Sequence, residues 1–561
     1  MADFYAEAKK TQNKSKDNMM LTENGAVVYS SIGSEMVDFE FSVNSLRNKS
    51  KEEIYDKIKK AYAENPELTT KMIFQIGDVR EGKGERHIFD ACLEFLANEH
   101  PKILRELLPL IPEYTRWDHA IRLATNKNPM IAKTARKFVA DQIAEDKKNL
   151  ANGKPISLCA KWMPSIQSKK QEDRKLALKM ESVLGLDHQG YRKLLSQLRE
   201  KLNIIEKKLS QKKVEEIDFS KMSSKQMLKY SDKMKEVRGE DFDEYLDKVA
   251  SGEETLNAGV LTPADVVHKY TSNDSWYRRI KVYDKAIEAM WNNLKDTIKD
   301  SADTIVVRDG SASMTTAVSR KSKMSCLEVA TALSVYCAER MNGDLKDKFI
   351  TFSSKPEIVD MSHLSTLHDK LELCYQHNDC SNTNLEKTFD LLLNTLKNGH
   401  IPQEEAPKNI LILSDMEFDE ATASRYGDYG NHDRFKPLFD SIREKWDEAG
   451  YKIPTLVFWQ LNVERAPVPE VDNELGIVYV SGYTTDNLDM VLSGELSKFT
   501  PERQLQMILS KERYDKVADA FAIGLSKERN EPTYSKNDVI DMPNFTQTNE
   551  EHIRNDIGEE R

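Results

Sequence analysis

Carboxylate and hydroxyl side chains follow apolar segments at several points in the second half of this 561-residue chain. The first such segment runs directly into Asp309, Ser311 and Ser313, which form a D-x-S-x-S pattern on one short loop. Thr383 lies in a later polar loop just before a helical pattern, and Asp415 follows the apolar segment NILILS. Oxygen ligands of this kind, completed by water, suit a hard divalent cation such as Mg²⁺. The pattern therefore predicts a metal site formed by these five residues.

The sequence DGSAS has a second interpretation when it is taken alone. A hydroxyl-rich turn of this kind also caps a following helix, with no metal involved. The metal interpretation depends on the three polar segments together, because each of them falls at a predicted strand end or helix start. Ligands of α/β sheets bind at the carboxyl ends of the strands. One neighbouring residue affects the expected affinity for a metal ion. Arg308 precedes the motif, and its charge would either repel the ion or pair with Asp379.

Short apolar segments alternate with helical patterns from residue 303 onward. The predicted strands have the sequences DTIVVRDGS, DKFITFSS, NILILSD, PTLVFWQLN and GIVYVSGY. Helical patterns lie between them, among them SCLEVATALSVYCAERM and NLEKTFDLLLNTLKN. Such an alternation predicts a parallel sheet with helices on both faces. The fold class predicted for this half is therefore α/β.

The first half carries the periodicity of amphipathic helices. Ile54, Ile58 and Tyr62 recur every four residues and share one helix face. Similar segments continue to residue 300 and are bounded by Gly, Pro or Asn. A stack of such helices predicts an α-helical array of the solenoid or ring type, although the sequence shows no repeat of fixed period.

These patterns divide the chain into five segments. We expect a flexible N-terminus at 1–20, an α-helical domain at 21–300, an α/β domain at 301–500, a C-terminal helix at 501–526 and a mobile tail at 527–561. Residues 1–300 contain 53 Lys and Arg against 48 Asp and Glu, a balance of +5, and the remainder has a balance of −16. Residues 101–200 alone have a balance of +9. This asymmetry favours different partners for the two halves.

Composition excludes several classes of protein. The chain has 39% hydrophobic and 31% charged residues, enough for a large core beneath a solvated surface. No stretch approaches the roughly 20 apolar residues of a membrane helix, and the N-terminal segment lacks the apolar core of a signal peptide. The six Cys form no CxxC pair, which argues against a zinc ribbon or a disulfide framework. We therefore expect a cytoplasmic protein with no membrane partner.

A basic, glycine-rich loop lies at the start of a predicted helix. In GKGER, at 82–86, Lys83 and Arg86 stand beside Gly, and Arg80 precedes them. Backbone N–H groups and the helix macrodipole make such a loop attractive for phosphate. The loop matches neither the P-loop pattern nor GxGxxG, so a nucleotide-binding enzyme is disfavoured. The alternative is a basic turn between two helices.

Two tryptophans stand beside basic residues in the same half. Arg116 precedes Trp117, and Lys161 precedes Trp162. The basic side chains would bind phosphates while the indole rings stack on bases. Tryptophans buried in the core would give the same pattern. The candidate RNA-binding residues are therefore Arg80, Lys83, Arg86, Arg116 and Lys161.

The motifs taken together resemble known families. The D-x-S-x-S loop, the later Thr and the second Asp resemble the metal-ion-dependent adhesion site of von Willebrand factor A domains, although an apolar residue is commoner there than Arg308. The basic loop followed by a late SDMEFD (414–419) resembles the TROVE-plus-von Willebrand factor A architecture of the Ro autoantigen family. A closer resemblance is to an uncharacterised Ro-like family of phages, giant viruses and plants, and it covers residues 20–500. The patterns that carry it are TENGAVVYS (22–30), GKGER (82–86), RWD (116–118), AKWMP (160–164) and SDMEFD (414–419).

The resemblance implies both an architecture and a function. It implies a HEAT-like helical repeat region of ring shape, followed by a Rossmann-like von Willebrand factor A domain. In Ro proteins the ring binds misfolded and small structured non-coding RNA. This chain would then be a non-enzymatic RNA-binding protein of ribonucleoprotein particles. Its metal site, filled by Mg²⁺ or another divalent cation, would recruit an acidic protein partner.

Two other functions remain open from the residues alone. The net charge of −11 favours a metal-dependent protein–protein adaptor or scaffold that binds no RNA. A hydrolase is the weaker alternative, because the sequence contains no HExxH or GxSxG motif. His87 and His119 lie beside the basic patterns and would be its candidate catalytic groups. A salt-sensitive RNA complex would distinguish RNA binding from the adaptor function.

Overall fold

The computed structural model describes most of the chain. The described residues are 19–21, 27–29, 34–43, 45–202, 204–271, 280–296, 304–319, 322–341, 343–378, 384–415, 435–462, 477–481 and 501–530. Within them a helical region precedes an α/β region, which confirms the order predicted from the sequence. None of the described helices is both long and apolar enough to cross a membrane.

The helical region consists of short and medium helices joined by brief connections. Its helices are Glu35–Ser42 (α1), Lys51–Glu64 (α2), Pro66–Gly77 (α3), Arg86–Glu99 (α4), Pro101–Leu107 (α5), Ile111–Tyr114 (α6), Trp117–Arg122 (α7), Pro129–Ala151 (α8), Cys159–Trp162 (α9), Gln171–Leu184 (α10), His188–Lys201 (α11), Ile205–Ser210 (α12), Ser224–Val237 (α13), Gly239–Ser251 (α14), Pro263–Tyr270 (α15) and Lys285–Asn292 (α16). Local signals begin several of them: Ser50 and Glu53 form a capping box before α2, and Asn128 caps α8. Two short antiparallel strands, Met19–Leu21 (β1) and Val27–Tyr29 (β2), precede the helices.

The α/β region is built on one sheet. Its strands are Thr304–Asp309 (β3), Lys348–Phe352 (β4), Ile358–Asp360 (β5), Asn409–Ser414 (β6), Thr455–Gln460 (β7) and Ile477–Ser481 (β8), and they lie in the order β5-β4-β3-β6-β7-β8. Its helices are Cys326–Arg340 (α17), Leu367–Gln376 (α18), Leu385–Gly399 (α19) and Phe435–Glu448 (α20). Every pair of neighbouring strands is parallel except β4 and β5. The predicted parallel sheet has this antiparallel edge because residues 353–357 are too few for a parallel crossover, which needs about a dozen residues.

Strand β3 lies in the interior of the sheet, and all of its residues are buried. It pairs with β6 so that Arg308 lies opposite Leu413. This register places Asp309 beside Ser414 at the ends of the two strands. Because both strands run in the same direction, the residues that follow them meet at one edge of the sheet.

Buried apolar side chains form three clusters. The first core joins helices between residues 36 and 202 to the C-terminal helices Pro501–Leu509 (α21) and Asp515–Asn530 (α22). The second core joins helices between residues 205 and 294 to α17, α18 and one face of the sheet. The third core lies between the other face of the sheet and helices α19 and α20. The cores therefore divide the helical region near residue 203, whereas the sequence pattern placed one boundary at residue 300.

The C-terminal helices complete the first core. Their buried apolar residues are Leu505, Ile508, Leu509, Tyr514, Val517 and Phe521. Gly524 permits a close crossing of α22 over α5, since a Cβ atom at this position would lie 2.5 Å from the Cα atom of Ile103. The sequence pattern gave one C-terminal helix at 501–526, and the structure has two helices there, α21 and α22. Residues 205–481 are thus inserted between two segments of the first core.

Candidate functional site

Asp309 lies at the buried end of β3 and is held by hydrogen bonds from two segments. The residue is 0% exposed to solvent. The hydroxyl group of Ser414 donates to Oδ2 of Asp309 at 2.6 Å, and the backbone N–H of Ser311 donates to Oδ1 at 2.9 Å. These bonds fix the carboxylate between the ends of β3 and β6. Ser414 was not predicted from the sequence, although its position directly before Asp415 was a usable signal.

The two serines of the loop connect Asp309 to the second aspartate. The Oγ atoms of Ser311 and Ser313 are 3.0 Å apart, and the hydroxyl of Ser313 donates to Oδ1 of Asp415 at 3.2 Å. Four of the predicted metal ligands therefore lie together. The fifth, Thr383, lies outside the described residues. The four described residues all offer oxygen atoms, and such a donor set fits a hard divalent cation such as Mg²⁺.

The hydroxyl groups of the DGSAS loop are not the cap of the following helix. Ser311 precedes the short 3-10 turn Ala312–Thr315 and makes no side-chain capping bond to it. Helix α17 is capped instead by Ser325, which forms a capping box with Glu328. Helix capping alone therefore does not explain why Ser313 donates to Asp415 and lies against Ser311.

Burial raises the pKa of Asp309. The lack of solvent, and after it the negative charge of Asp415, raises the pKa of Asp309 to about 6. Hydrogen bonds from Ser414 and Ser311 oppose this shift, because they favour the ionised carboxylate. A cation beside the two carboxylates would favour ionisation in the same way.

The raised pKa of Asp309 predicts a pH dependence of stability with a definite sign. A carboxyl group whose pKa rises on folding from 3.8 to about 6 contributes stability that is complete below pH 3.8 and is lost as the pH rises through about 6. We therefore expect this group to make the cation-free α/β region less stable across that interval. The measurement is the free energy of urea unfolding of wild type and Asp309→Asn at several pH values. Two parallel curves would contradict the prediction.

Arg308 leaves β3 on the face opposite to that of Asp309, because side chains alternate along a strand. It is 1% exposed. Its guanidinium donates to the Thr331 hydroxyl at 3.1 Å and to the carbonyl oxygens of Cys374 and His377 at 2.8 and 3.1 Å. These carbonyl groups lie at the end of α18, where the helix macrodipole is negative. Asp379, the partner considered from the sequence, lies outside the described residues.

The basic loop is tied to its surroundings by two of its predicted RNA-binding residues. The ammonium group of Lys83 pairs with the carboxylate of Glu40 at 2.7 Å and donates to the carbonyl oxygen of the same residue at 2.9 Å. The guanidinium of Arg80 donates to the carbonyl oxygen of Glu113 at 2.7 Å. The Lys83 side chain is only 12% exposed. These contacts favour the alternative interpretation, in which the loop is a basic turn between two helices.

Asp78 supports the loop from the interior. The residue is 0% exposed, and its carboxylate accepts a hydrogen bond from the backbone N–H of Arg80 at 2.9 Å. It also accepts hydrogen bonds from the guanidinium of Arg513, at 2.8 Å from Nη2, and from the Tyr514 hydroxyl at 3.4 Å. Arg513 and Tyr514 lie between α21 and α22. The C-terminal segment therefore helps to set the conformation of the basic loop.

Basic side chains gather around one half-buried indole ring beside this loop. The guanidinium of Arg116 stacks over Trp162 at 4.1 Å from the ring centroid, and the ammonium group of Lys161 lies 5.8 Å from the same ring. Partial burial of the guanidinium group and, after it, the positive charges of Arg116 and Arg122 lower the pKa of Arg86. Arg116 and Arg122 both pair with the carboxylate of Asp118. The side chain of Arg122 is 57% exposed. We call Arg86, Arg116, Arg122 and Lys161 the basic cluster.

Sequence reasoning missed Arg122. The residue ends α7, where it pairs with Asp118 at 3.3 Å and with Asp90 at 2.8 Å. Asp118 also pairs with Arg116. The i, i+4 spacing of Asp118 and Arg122 within the helix that follows Arg116 was the available signal.

The remaining aromatic and histidine candidates have structural partners. Trp117 is buried in the first core, whereas Trp162 is half-buried. His119 is buried and bonds through Nδ1 to the carboxylate of Asp90. His87 is exposed, and its Nε2 lies 3.2 Å from a backbone carbonyl oxygen. Each of the two histidines therefore has a hydrogen-bond partner within the protein.

Two family models match the chain. One is described as a domain of unknown function (DUF7788) and matches residues 303–534. The other is described as a domain of unknown function (DUF2828) and matches residues 22–116 and 171–303. They meet at the point where the α/β region begins.

Individual proteins are similar to this chain over most of its length. The uncharacterised protein L728 of Acanthamoeba polyphaga mimivirus is 27% identical over 537 residues, which is 88% of this chain and 87% of that protein. Among solved structures, the Ro (RSR) protein of Deinococcus radiodurans matches with a TM-score of 0.34 and 11% identity, over 81% of this chain and 93% of that chain. A structural likeness of this size carries no argument about function, and the descriptions of the viral relative and the two family models name no activity.

Proposed function

We propose that this chain is a non-enzymatic, Ro-like RNA-binding protein that binds structured or misfolded small non-coding RNA through its helical region. In this proposal the helical region is a HEAT-like array, the α/β region is a von Willebrand factor A-like domain, and the protein is cytoplasmic. The observation that carries the proposal is the basic cluster around Trp162. Arginine and lysine beside an aromatic ring are the groups that bind a phosphate backbone and a stacked base.

The charge of the basic cluster supports an anionic ligand. Two of its four cations, Arg116 and Arg122, pair with the carboxylates of Asp90 and Asp118, which leaves a net charge of about +2 among these six side chains. The Arg122 side chain is more than half exposed, and Arg86 is exposed as well. Each guanidinium has five N–H donors, so a carboxylate partner leaves donors for a phosphate.

Charge reversal in the basic cluster tests the RNA-binding proposal. We expect the double variant Arg86→Glu with Lys161→Glu to bind a labelled small structured RNA at least about tenfold more weakly than wild type, with a salt dependence reduced by about two released counterions. The measurement is fluorescence anisotropy over a series of salt concentrations. The matched control is Lys57→Glu with Lys59→Glu, which reverses two exposed lysines on α2.

The outcomes separate three cases. Equal losses in the two double variants would mean that only the total charge matters and would contradict a specific surface. Full affinity in the basic-cluster variant would place the RNA surface elsewhere. A wild-type protein that ignores RNA, and that carries none when purified without nuclease, would overturn the proposal in favour of the adaptor function.

The metal-dependent adaptor is the second candidate, and the oxygen site at the end of β3 favours it. We propose that Asp309, Ser311, Ser313 and Asp415 hold Mg²⁺ or another divalent cation, and the resemblance adds Thr383. A cation bound by few protein charges keeps an open coordination position, which an acidic group of a partner protein would fill. The two functions are compatible in one chain, because the metal site and the basic cluster belong to different cores.

A further inference from the structure

Arg308 is a buried cation whose bonding partners are neutral. Its hydrogen-bond acceptors are a hydroxyl group and two backbone carbonyl oxygens. In the part of the chain that the structure describes, no carboxylate lies within ion-pair distance of its guanidinium. Lys370, a buried cation on α18, is different, since it pairs with Glu339 at 3.0 Å and with Asp347 at 3.2 Å. Among the described residues, the charge of Lys370 is thus balanced by neighbouring carboxylates, and the charge of Arg308 is not.

The unbalanced charge lies next to the proposed metal site. Arg308 and Asp309 are consecutive residues of β3, and their side chains leave opposite faces of the sheet. An arginine side chain stays protonated at all ordinary pH values. Salt screens a buried charge poorly, so its field reaches the two carboxylates of the site across the strand.

We propose that Arg308 is an internal countercharge that sets the affinity of the metal site and its preference for an acidic partner. This inference rests on the proposed metal site. With Asp309 and Asp415 ionised, Arg308 leaves the cation-free site with a net charge of about −1, and a divalent cation would change it to about +1. Without Arg308 the filled site would be neutral. The arginine therefore weakens binding of the cation alone and favours a negatively charged group as the completing ligand.

Removing the charge tests this role directly. We expect Arg308→Gln, which keeps an amide donor, to bind Mn²⁺ about tenfold more tightly than wild type. Because a Coulomb energy is proportional to the charge of the ion, the same variant should bind Tb³⁺ about thirtyfold more tightly. A merely structural role would not produce this dependence on ionic charge. Isothermal titration gives the dissociation constant of Mn²⁺, and Tb³⁺ luminescence gives that of Tb³⁺.

Two variants serve as matched controls, because they disturb the contacts of Arg308 and keep its charge. Arg308→Lys retains a cation with different geometry, and Thr331→Val removes one acceptor. Both should keep the wild-type ratio of Tb³⁺ to Mn²⁺ affinity. If Arg308→Gln has the same ratio as these controls, the countercharge role is wrong. If neither ion binds to wild type or to Arg308→Gln, the metal site itself is wrong, and this inference fails with it.

A second measurement needs no variant and covers the case in which Arg308→Gln does not fold. Acetate serves as a probe for the carboxylate of a partner. We expect the affinity of wild type for Mn²⁺ to rise severalfold when acetate is added, whereas chloride at the same ionic strength has no such effect. Equal affinities in acetate and chloride would overturn the proposed preference for an acidic ligand.

Discussion

Replacing Asp78 with Ala should lower the free energy of unfolding by about 3 kcal/mol, because it removes a buried carboxylate and leaves the guanidinium and hydroxyl groups that donate to it without this acceptor. Asp78 is 0% exposed, and it binds Arg513 from a segment more than 400 residues later in the chain. It also accepts the backbone N–H group of Arg80. One substitution therefore removes a link between the basic loop and the C-terminal helices. The measurement is urea unfolding followed by circular dichroism.

An exposed ion pair provides the control for this variant. Lys137 and Asp141 lie one turn apart on α8 with their charged groups 2.7 Å apart, and their side chains are 76% and 62% exposed. Asp141→Ala removes the same carboxylate group at the surface, where such pairs contribute about 0.5 kcal/mol or less. Similar losses in the two variants would show that Asp78 has no special structural role.

Asp309→Ala should abolish the stabilisation of the α/β region by divalent cations. For wild type, a cation at one hundred times its dissociation constant should add about 2.7 kcal/mol to the free energy of unfolding. The variant should gain no stability from the cation, because it lacks the carboxylate that Ser414 and the backbone of Ser311 hold at the proposed site. The measurement is thermal unfolding with and without Mg²⁺, with the helical first core as an internal reference.

The control for this experiment is Asp344→Ala, which removes an exposed carboxylate of the same α/β region. It should respond to Mg²⁺ as wild type does. A Mg²⁺ response that survives in Asp309→Ala would place the cation elsewhere. A wild-type protein that does not respond at any Mg²⁺ concentration would refute the metal site.

The interior strands of the sheet were predictable because they are buried on both faces. Strand β3 reads TIVVRD and β6 reads NILILS, and all of their residues are buried. Such strands appear in a sequence as continuous apolar runs. Strand β5, Ile358–Asp360, was missed because it is an edge strand of three residues with two of them exposed. Its length and polarity give no periodic signal.

That the proposed metal ligands lie together was predictable for a related reason, whereas the basic cluster was predictable only in part. Asp309 and Asp415 each follow an apolar strand, so parallel pairing alone brings them to one edge. Arg116 and Lys161 are 45 positions apart, and their meeting over Trp162 depends on the packing of α7 against α9. The contact of α22 with α5 was still harder to predict from the sequence, because no local pattern encodes a contact across more than 400 residues. Both contacts depend on long-range packing, and they could therefore not be predicted from local sequence patterns.

The insertion of residues 205–481 into the first core has a consequence for synthesis on the ribosome. Residues 34–202 emerge early, whereas α21 and α22, which complete their core, emerge about 300 residues later, after a delay of roughly 15–60 s at ordinary rates of translation. The second and third cores, in contrast, together draw their residues from one continuous stretch, 205–480. The α/β region of the nascent protein therefore emerges before the basic loop gains its final support from Arg513. Until α21 and α22 emerge, the early helices expose the apolar surface that these two helices cover.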